Sequence, residues 1–307
     1  QAGVATAAPP PCGPTGVAQA KAADVSKLTA CKEGSVVISD TEGPASVVLP
    51  APGFAVEFSA ITADGTAGVP DFTVYRSASG EVATRSESSR SNVVHGKPAV
   101  IAEFEAPAAS ESGILATSPK CDNYTYATYG PRWLATVSWY YKTPSFGGTA
   151  SVFNAMSAMA NGYGACGSNL SNSAAHSYAG TTTASATMSG GTCLAGNYQN
   201  VVDSGTPLAS ASTLAQTCTY MTATDIVASD IRINTAYSWY TGSSVTGCPA
   251  GNYDLQGVMT HEAGHLFGLT HVAGATMQVM KPTSAVCETG MRLLGNGDLA
   301  GMKYLYP

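Results

Sequence analysis

Residues 261–271 of this 307-residue chain, HEAGHLFGLTH, bring together three histidines, a glutamate and a glycine at informative spacings. His261 and His265 are four residues apart, so on an α-helix they lie on one face, one turn apart, and can bind the same ion. A helix continued to His271 would carry that side chain roughly 9 Å farther along the axis, too far for Zn–N bonds of about 2.0–2.1 Å. We therefore predict that the helix ends at Gly268, because glycine readily adopts the left-handed conformation that turns the chain back.

Glu262 directly follows the first of these histidines. This spacing holds its carboxylate beside the ion instead of on it, where a general base for a metal-activated water molecule is needed. We therefore predict one catalytic zinc ion bound by His261, His265 and His271, with Glu262 as the catalytic base. The other two histidines of the chain, His95 and His176, have no second ligand at metal spacing and are interpreted as surface or hydrogen-bonding residues.

The pattern HExxHxxGxxH resembles the zinc signature of the metzincin clan of metallopeptidases. Members of this clan carry a methionine turn shortly after the third histidine, which forms an apolar floor under the metal. Here Met280-Lys281-Pro282 resembles the Met-Tyr-Pro sequence of the matrixin branch. The resemblance favours Met280 for this role over Met277, although both methionines could also simply pack in the core.

The resemblance extends over about residues 121–307 and is closest to secreted bacterial matrixin-like peptidases. Residues 133–141 have the alternation of a strand and residues 148–164 the apolar spacing of a helix, as at the start of a matrixin catalytic domain. Residues 292–306 resemble the closing loop and the C-terminal helix. The same resemblance implies a substrate cleft with Asp230–Asn234 as its edge strand and Pro282 in its wall. The expected cleft residues are Asp230, Ile231, Arg232, Ile233, Asn234 and Pro282.

Two departures from the matrixin pattern change what the resemblance implies. Animal matrixins bind a structural zinc through histidines upstream of the active-site helix, but His176 is the single histidine between Pro131 and His261. We therefore predict no second zinc. Matrixins also have two adjacent acidic residues at the start of the last helix, where this chain has one, Asp298. We predict that Asp298 caps that helix or braces the methionine turn.

The predicted fold class is α+β, with two domains. Residues 121–307 form a metzincin or zincin-like catalytic domain, with a twisted mixed sheet, an active-site helix and a C-terminal helix. Residues 1–120 form a small β-rich domain, because residues 35–104 contain short alternating apolar runs broken by Gly, Pro, Asp and Ser. A short helix is predicted within residues 17–28, and residues 107–113 are typical of a linker.

The role of residues 1–120 has three interpretations: a removable pro-domain, a permanent accessory or substrate-binding module, and a structural extension. Matrixin pro-segments silence the zinc with a cysteine, but no PRCGxPD-like motif occurs in this chain. Cys121, just ahead of the catalytic strand, is a candidate for such a blocking ligand. A disulfide is the favoured interpretation, since the number of cysteines is even.

Eight cysteines indicate an oxidising environment and up to four disulfides. We expect Cys12 and Cys31 to close the N-terminal segment. The remaining six cysteines allow 15 pairings. Among these pairings, Cys166–Cys193 and Cys218–Cys248 are the ones that we predict.

The composition excludes several classes of function. Charged residues make up 11% of the chain and the net charge is −6, so no basic surface is available for a nucleic acid. No apolar run reaches the ~18 residues of a transmembrane segment. The cysteines, and a start at Gln1 instead of Met, predict a secreted, extracellular monomer whose signal peptide has been removed. Asp122-Asn123 could hold calcium, but a solvated turn is favoured.

These observations predict a secreted zinc-dependent endopeptidase that hydrolyses extended protein or peptide substrates and is made as a zymogen if residues 1–120 are a pro-domain. The alternative is a zinc amidase that acts on a cell-wall or small-molecule substrate with the same ligands. A binding module with a vestigial metal is disfavoured, because Glu262 and every ligand are intact.

Overall fold

The computed structural model describes residues 17–20, 27–28, 35–38, 45–66, 71–80, 82–86, 119–143, 146–167, 169–206, 208–272 and 276–307. Among these residues, no helix is long and apolar enough to cross a lipid bilayer. The described helices are α1 (Pro119–Asp122), α2 (Thr149–Asn161), α3 (Leu255–Leu266) and α4 (Asn296–Leu305), with a 3₁₀ helix at Thr289–Arg292. The described strands are β1 (Val17–Ala20), β2 (Lys27–Leu28), β3 (Ser35–Ile38), β4 (Ala45–Val48), β5 (Ala55–Ala63), β6 (Phe72–Arg76), β7 (Val82–Ser86), β8 (Ala127–Thr128), β9 (Val137–Tyr141), β10 (His176–Thr181), β11 (Met188–Ser189), β12 (Thr192–Cys193), β13 (Val201–Gly205), β14 (Thr213–Met221), β15 (Ile226–Asn234), β16 (Trp239–Tyr240), β17 (Tyr253–Asp254), β18 (Leu269–Thr270) and β19 (Thr283–Ser284).

The main sheet joins strands from both predicted domains. Its strand order is β10-β9-β13-β15-β14-β5-β6-β7-β2, and β19 pairs with β5 outside this path. The neighbouring strands β10, β9, β13 and β15 are parallel to one another. β14 is antiparallel to β15, and β5 is antiparallel to β14. The N-terminal strands β5 to β7 therefore continue the sheet of the C-terminal part.

Several predicted elements lie where the sequence placed them. The strand within residues 133–141 is β9, the helix within residues 148–164 is α2, and the C-terminal helix is α4. The mixed sheet agrees with the predicted α+β class. The helix predicted within residues 17–28 is wrong, because residues 17–20 and 27–28 are strands that pair with β3 and β7. Such long-range pairing overrides a weak local helix preference. The predicted domain boundary at residue 120 stays a prediction, because residues 87–118, just before it, lie outside the described residues.

Apolar side chains cover both faces of the main sheet. On one face, α2 and α3 pack over a fully buried cluster that includes Trp139, Met156 and Val258. On the other face, a second sheet of order β1-β3-β4-β12-β11 covers a cluster that includes Phe58 and Phe72. All nine residues of both β5 and β14 are buried as a result. Burial of one such large side chain contributes about 1.5–3 kcal/mol.

The long helix α3 is fixed at its first turn. The Asp254 side chain accepts a hydrogen bond from the backbone N–H of Gly257 at 2.9 Å and so caps the helix. Arg292 donates to both oxygens of the same carboxylate, at 2.6 and 2.9 Å. Such paired, charge-assisted bonds restrict orientation as well as distance. These contacts therefore fix the first turn of α3 and the direction of its axis.

Three disulfides lie among the described residues: Cys121–Cys166, Cys193–Cys218 and Cys248–Cys287. The predicted pairs Cys166–Cys193 and Cys218–Cys248 are wrong. Cys166 is instead taken by Cys121, and packing of the two sheets brings Cys193 of β12 against Cys218 of β14. Cys121 is bonded to Cys166, as the favoured disulfide interpretation predicted. The expected Cys12–Cys31 pair lies outside the described residues.

Disulfide mapping tests this arrangement. Non-reducing digestion and mass spectrometry should recover linked peptides for Cys121–Cys166, Cys193–Cys218 and Cys248–Cys287. Replacement of both Cys193 and Cys218 by Ala should lower the free energy of unfolding by about 3 kcal/mol, because the bond closes a loop in the unfolded chain. A peptide that links Cys166 to Cys193, or an unchanged denaturation midpoint in the double variant, would contradict the structure.

Candidate metal centre

Three imidazole rings converge at one point beside α3. The Nε2 atoms of His261 and His265 are 2.9 Å apart, and they lie 3.1 and 3.3 Å from Nε2 of His271. All three side chains are buried. Three ring nitrogens this close to one another can bind a single positive ion.

A glycine turn brings the third histidine back to the other two. Helix α3 ends at Leu266, and the backbone N–H of Gly268 donates to the carbonyl of His265 at 3.0 Å. Gly268 has a φ of 104°, in the region that other residues avoid. A Cβ atom at this position would also lie 2.9 Å from the Pro131 carbonyl oxygen. The helix ends as the spacing of His261 and His271 predicted.

The far ring nitrogens of the two helical ligands bond to protein oxygens. His261 Nδ1 donates to the Val279 carbonyl at 2.7 Å, and His265 Nδ1 lies 3.0 Å from the Leu269 carbonyl. The Tyr129 hydroxyl is also 3.2 Å from His265 Nδ1. A proton held on Nδ1 leaves the Nε2 lone pair free for a metal. Burial, with the neighbouring His271 ring, keeps the pKa of His261 well below its usual value, so this ring is neutral.

The partner of the third ring comes from the N-terminal part of the chain. Asp71 Oδ1 lies 3.3 Å from His271 Nδ1, and Asp71 Oδ2 accepts the backbone N–H of His271 at 3.1 Å. Both side chains are fully buried. A carboxylate behind a metal-binding histidine orients the ring and raises its basicity. Asp71 was not singled out in the sequence, because it lies 200 residues before His271 and follows no motif.

The residues present fit a zinc ion. Tetrahedral coordination with Zn–N bonds of about 2.0–2.1 Å requires nitrogens about 3.3 Å apart, close to the observed 2.9–3.3 Å. Three neutral imidazoles are a donor set that zinc favours. Within the described ranges, this is the group of His, Cys, Asp and Glu side chains whose ligand atoms lie close enough to share one metal ion.

Glu262 lies beside this cluster as a fully buried carboxylate. Its Oε2 accepts a hydrogen bond from the Thr217 hydroxyl of β14, whereas its Oε1 is buried without a hydrogen-bond partner. Burial raises the pKa of Glu262 to about 8, although the Thr217 hydroxyl, the His271 ring and the backbone N–H of Ile61 oppose this rise. One oxygen is thus oriented by the protein and the other is available to exchange a proton.

Met280 packs against α3 between the two helical ligands. It is 2% exposed, whereas the competing Met277 is 46% exposed. A Cβ atom on Gly264 would lie 2.2 Å from the Met280 sulfur. Gly264 therefore makes room for this methionine, a role that sequence reasoning missed. Glycine inside a helix costs about 1 kcal/mol relative to alanine, and this cost is the signal from which a packing reason could have been inferred.

Asp298 joins the C-terminal helix to the methionine turn. Its carboxylate accepts the backbone N–H groups of Val279 at 2.8 Å, Met280 at 3.2 Å and Gly295 at 2.8 Å. Burial raises the pKa of Asp298, and the charge of Lys120 opposes this rise. Asp298 thus does both things that the sequence offered as alternatives: it caps α4 and it braces the turn.

The predicted edge strand of the cleft is wrong. Residues Asp230–Asn234 belong to β15, which lies between β13 and β14 inside the sheet. Its own residues did not reveal this position, because strand order depends on pairing partners. The side chains expected in the cleft instead contact neighbouring strands or the core. Burial raises the pKa of Asp230 to about 6. Asp230 accepts the Val201 N–H, Arg232 pairs with Asp203, Asn234 donates to the Thr213 carbonyl, and Ile231 and Ile233 are buried in the core.

Pro282, in contrast, contacts β5. Its carbonyl accepts the backbone N–H of Thr62 in β5 at 3.1 Å. The strand nearest Glu262 is β14, which carries Thr217. Neither Thr217 nor Tyr129 was predicted as part of the site, because each reaches it through strand pairing or packing instead of through a motif.

A substitution at Gly264 tests the packing under the histidines. Gly264→Ala places a methyl group against the Met280 sulfur, so it should destabilise the protein by about 1–3 kcal/mol, as overpacking does. The matched control Gly290→Ala should change little, because a Cβ atom there meets nothing within 4 Å. Chemical denaturation measures both. Equal stability of the two variants would show that Met280 does not pack against α3.

The comparisons with known proteins agree with this geometry. Residues 202–307 match the family model Peptidase_M10, described as Matrixin. The match contains the three histidines, Glu262 and Met280. No curated protein matches the chain.

Proposed function

Because residues 202–307 match the matrixin family model, we infer that the protein is a zinc-dependent endopeptidase that cleaves extended polypeptides. The observation that carries this inference is the convergence of the His261, His265 and His271 Nε2 atoms beside a buried carboxylate. Three nitrogen ligands leave a fourth coordination position for chemistry, as in catalytic zinc sites.

In this proposal, Nε2 of each histidine binds the ion, and the Nδ1 partners keep the rings in place. When bound, zinc polarises the peptide carbonyl and lowers the pKa of a water molecule towards ~7. Met280 and Asp298 hold the turn beneath the ligands, so the ring positions do not depend on the substrate.

Glu262 is the proposed general base. Thr217 holds its Oε2, so Oε1 is the oxygen that takes a proton from the attacking water. As the new C–O bond forms and the peptide C–N bond breaks, the same oxygen passes that proton to the departing amine.

A peptide substrate is favoured over a small-molecule amide by the strand environment of the site. β14 passes beside Glu262 and pairs there with another segment through main-chain hydrogen bonds. Extended peptides bind to sheet edges in the same way. The three disulfides support a secreted, extracellular protein, because such bonds persist in oxidising compartments. We propose that the enzyme acts there as a monomer.

Substitutions at the ligands and the base separate metal binding from chemistry. Glu262→Gln should keep one zinc per chain and lower the rate of peptide hydrolysis by about 10²–10⁴-fold, the usual contribution of a general base. His265→Ala should lose the zinc, whereas the control His176→Ala should keep it, since His176 bonds to Trp139 and Ser157 away from the cluster.

Elemental analysis gives the zinc content, and hydrolysis of a protein substrate is followed with and without a chelator. The full chain is assayed before and after nicking with trypsin, which can cleave after Arg90 and is inhibited before the assay. Full activity of Glu262→Gln would remove the proposed base. Full zinc occupancy of His265→Ala would remove the proposed ligand set.

A further inference from the structure

The edge of β14 next to Glu262 is covered by the chain itself. β14 is the last strand that the C-terminal part adds to the sheet before the N-terminal strands begin. β5 pairs with it antiparallel from Ala55 opposite Met221 to Thr62 opposite Thr213. The strand that would otherwise offer a free edge to a peptide is therefore already paired over nearly its whole length.

The other edge of β5 is held at both ends. β6 pairs with residues 55–58, and β19 pairs in parallel with Thr62 and Ala63. The Thr62 N–H donates to the Pro282 carbonyl at 3.1 Å, and the Asp64 N–H donates to the Ser284 carbonyl at 2.8 Å. Between these two pairings, at residues 59–61, no described strand covers this edge.

The uncovered part of β5 lies at the metal centre. The Ser59 hydroxyl is 3.4 Å from the Tyr129 hydroxyl, which contacts His265 Nδ1. The backbone N–H of Ile61 is close enough to the Glu262 carboxylate to oppose the rise in its pKa. The Ile61 side chain is fully buried in the same apolar cluster as Val258 of α3. Backbone and side chain of this segment thus occupy the space beside the proposed base.

Side chains of β5 alternate as those of a peptide bound in a cleft do. Ile61 and Ala63 belong to the cluster on the α3 side of the sheet, whereas Phe58 and Ala60 belong to the cluster on the opposite side. Main-chain bonds on both edges with alternate side chains in pockets are the usual features of peptide recognition by strand addition.

A second contact ties the N-terminal part to the ligands. Asp71, just before β6, accepts the backbone N–H of His271, and its Oδ1 lies 3.3 Å from the Nδ1 atom of the His271 ring. With β5 and Asp71 in place, Glu262 is fully buried and the three histidines are at most 3% exposed. A peptide cannot reach the centre while these segments remain where they are.

We propose that β5 occupies the peptide-binding cleft as a tethered substrate mimic, with Ile61 in the pocket beside Glu262, so that the intact chain is inactive until β5 is displaced. This proposal rests on the proposed function. It assigns to residues 45–86 the role of an inhibitor, and it makes a peptide with a branched aliphatic side chain at the Ile61 position the one that fits the cleft.

A tethered strand is an effective inhibitor because its binding is intramolecular. Its effective concentration beside β14 is of the order of millimolar for a flexible connection, so a dilute free peptide competes poorly. The Ile61 side chain, buried on the α3 side of the sheet, adds apolar contacts that a free peptide must replace. Displacement therefore requires the loss of these contacts, through cleavage of the chain or through weaker pairing.

Two substitutions weaken the packing or pairing of β5 while leaving the histidine ligands and Glu262 unchanged. Ile61→Asn removes the apolar contact without adding a charge, and Thr62→Pro removes the N–H that bonds to the Pro282 carbonyl. The matched control Ala78→Asn changes an exposed turn of the same N-terminal part. Each variant is made in the full chain, and its folding is checked by circular dichroism.

Three measurements are made on the zinc-loaded full chain: hydrolysis of a quenched peptide, the rate of zinc loss to 1,10-phenanthroline, and hydrogen exchange of the β14 amides. We expect Ile61→Asn and Thr62→Pro to raise all three by about tenfold or more, because they increase the population of chains with an open cleft. Ala78→Asn should behave as the wild type does. Ile61→Asn combined with Glu262→Gln should lose the hydrolysis and keep the faster zinc loss.

The outcomes separate this inference from the proposed function. If both folded variants lose zinc and exchange β14 amides at the wild-type rate, β5 does not cover the site and the inference is wrong. If these two rates rise but no form of the chain hydrolyses peptides, β5 covers the site and the endopeptidase proposal is wrong. A wild-type chain that is as active as both variants would also overturn the inference.

Discussion

The structure depends on one constraint: three Nε2 atoms must meet within about 3 Å although one of them comes from outside the helix. The turn at Gly268 makes this possible, because α3 cannot carry His271 back by itself. Each ring then has a protein oxygen near its Nδ1 atom, and these oxygens come from a turn, a helix end and a distant segment. The centre therefore forms only when the surrounding chain is folded.

The elements around α3 satisfy this constraint together. Asp254 and Arg292 orient the start of the helix, and Met280 packs into the space that Gly264 leaves. Asp298 connects the methionine turn to α4 through backbone N–H groups. Because Met280 takes part in both of the last two contacts, a change at Asp298 is expected to alter the packing beneath the ligands.

The sequence was sufficient where the chemistry depends on local spacing. The spacing of the three histidines and the helix end at Gly268 follow from one short motif, whereas Met280 and Asp298 were pointed out by the resemblance to matrixins. It was insufficient where a residue's position depends on its partners in a sheet. Residues 230–234 are a strand, as expected, but β14 and β5 place that strand inside the sheet. The disulfide pairs and the Asp71 contact, 200 residues from its partner, were unpredictable for the same reason.

The most direct test of the central claim is X-ray absorption spectroscopy of the zinc-loaded full chain at the zinc K edge. We predict a first shell of nitrogen and oxygen at about 2.0–2.1 Å, with the outer-shell scattering of three imidazole rings and no sulfur. A sulfur ligand at about 2.3 Å, or scattering from fewer than three imidazoles, would contradict the account.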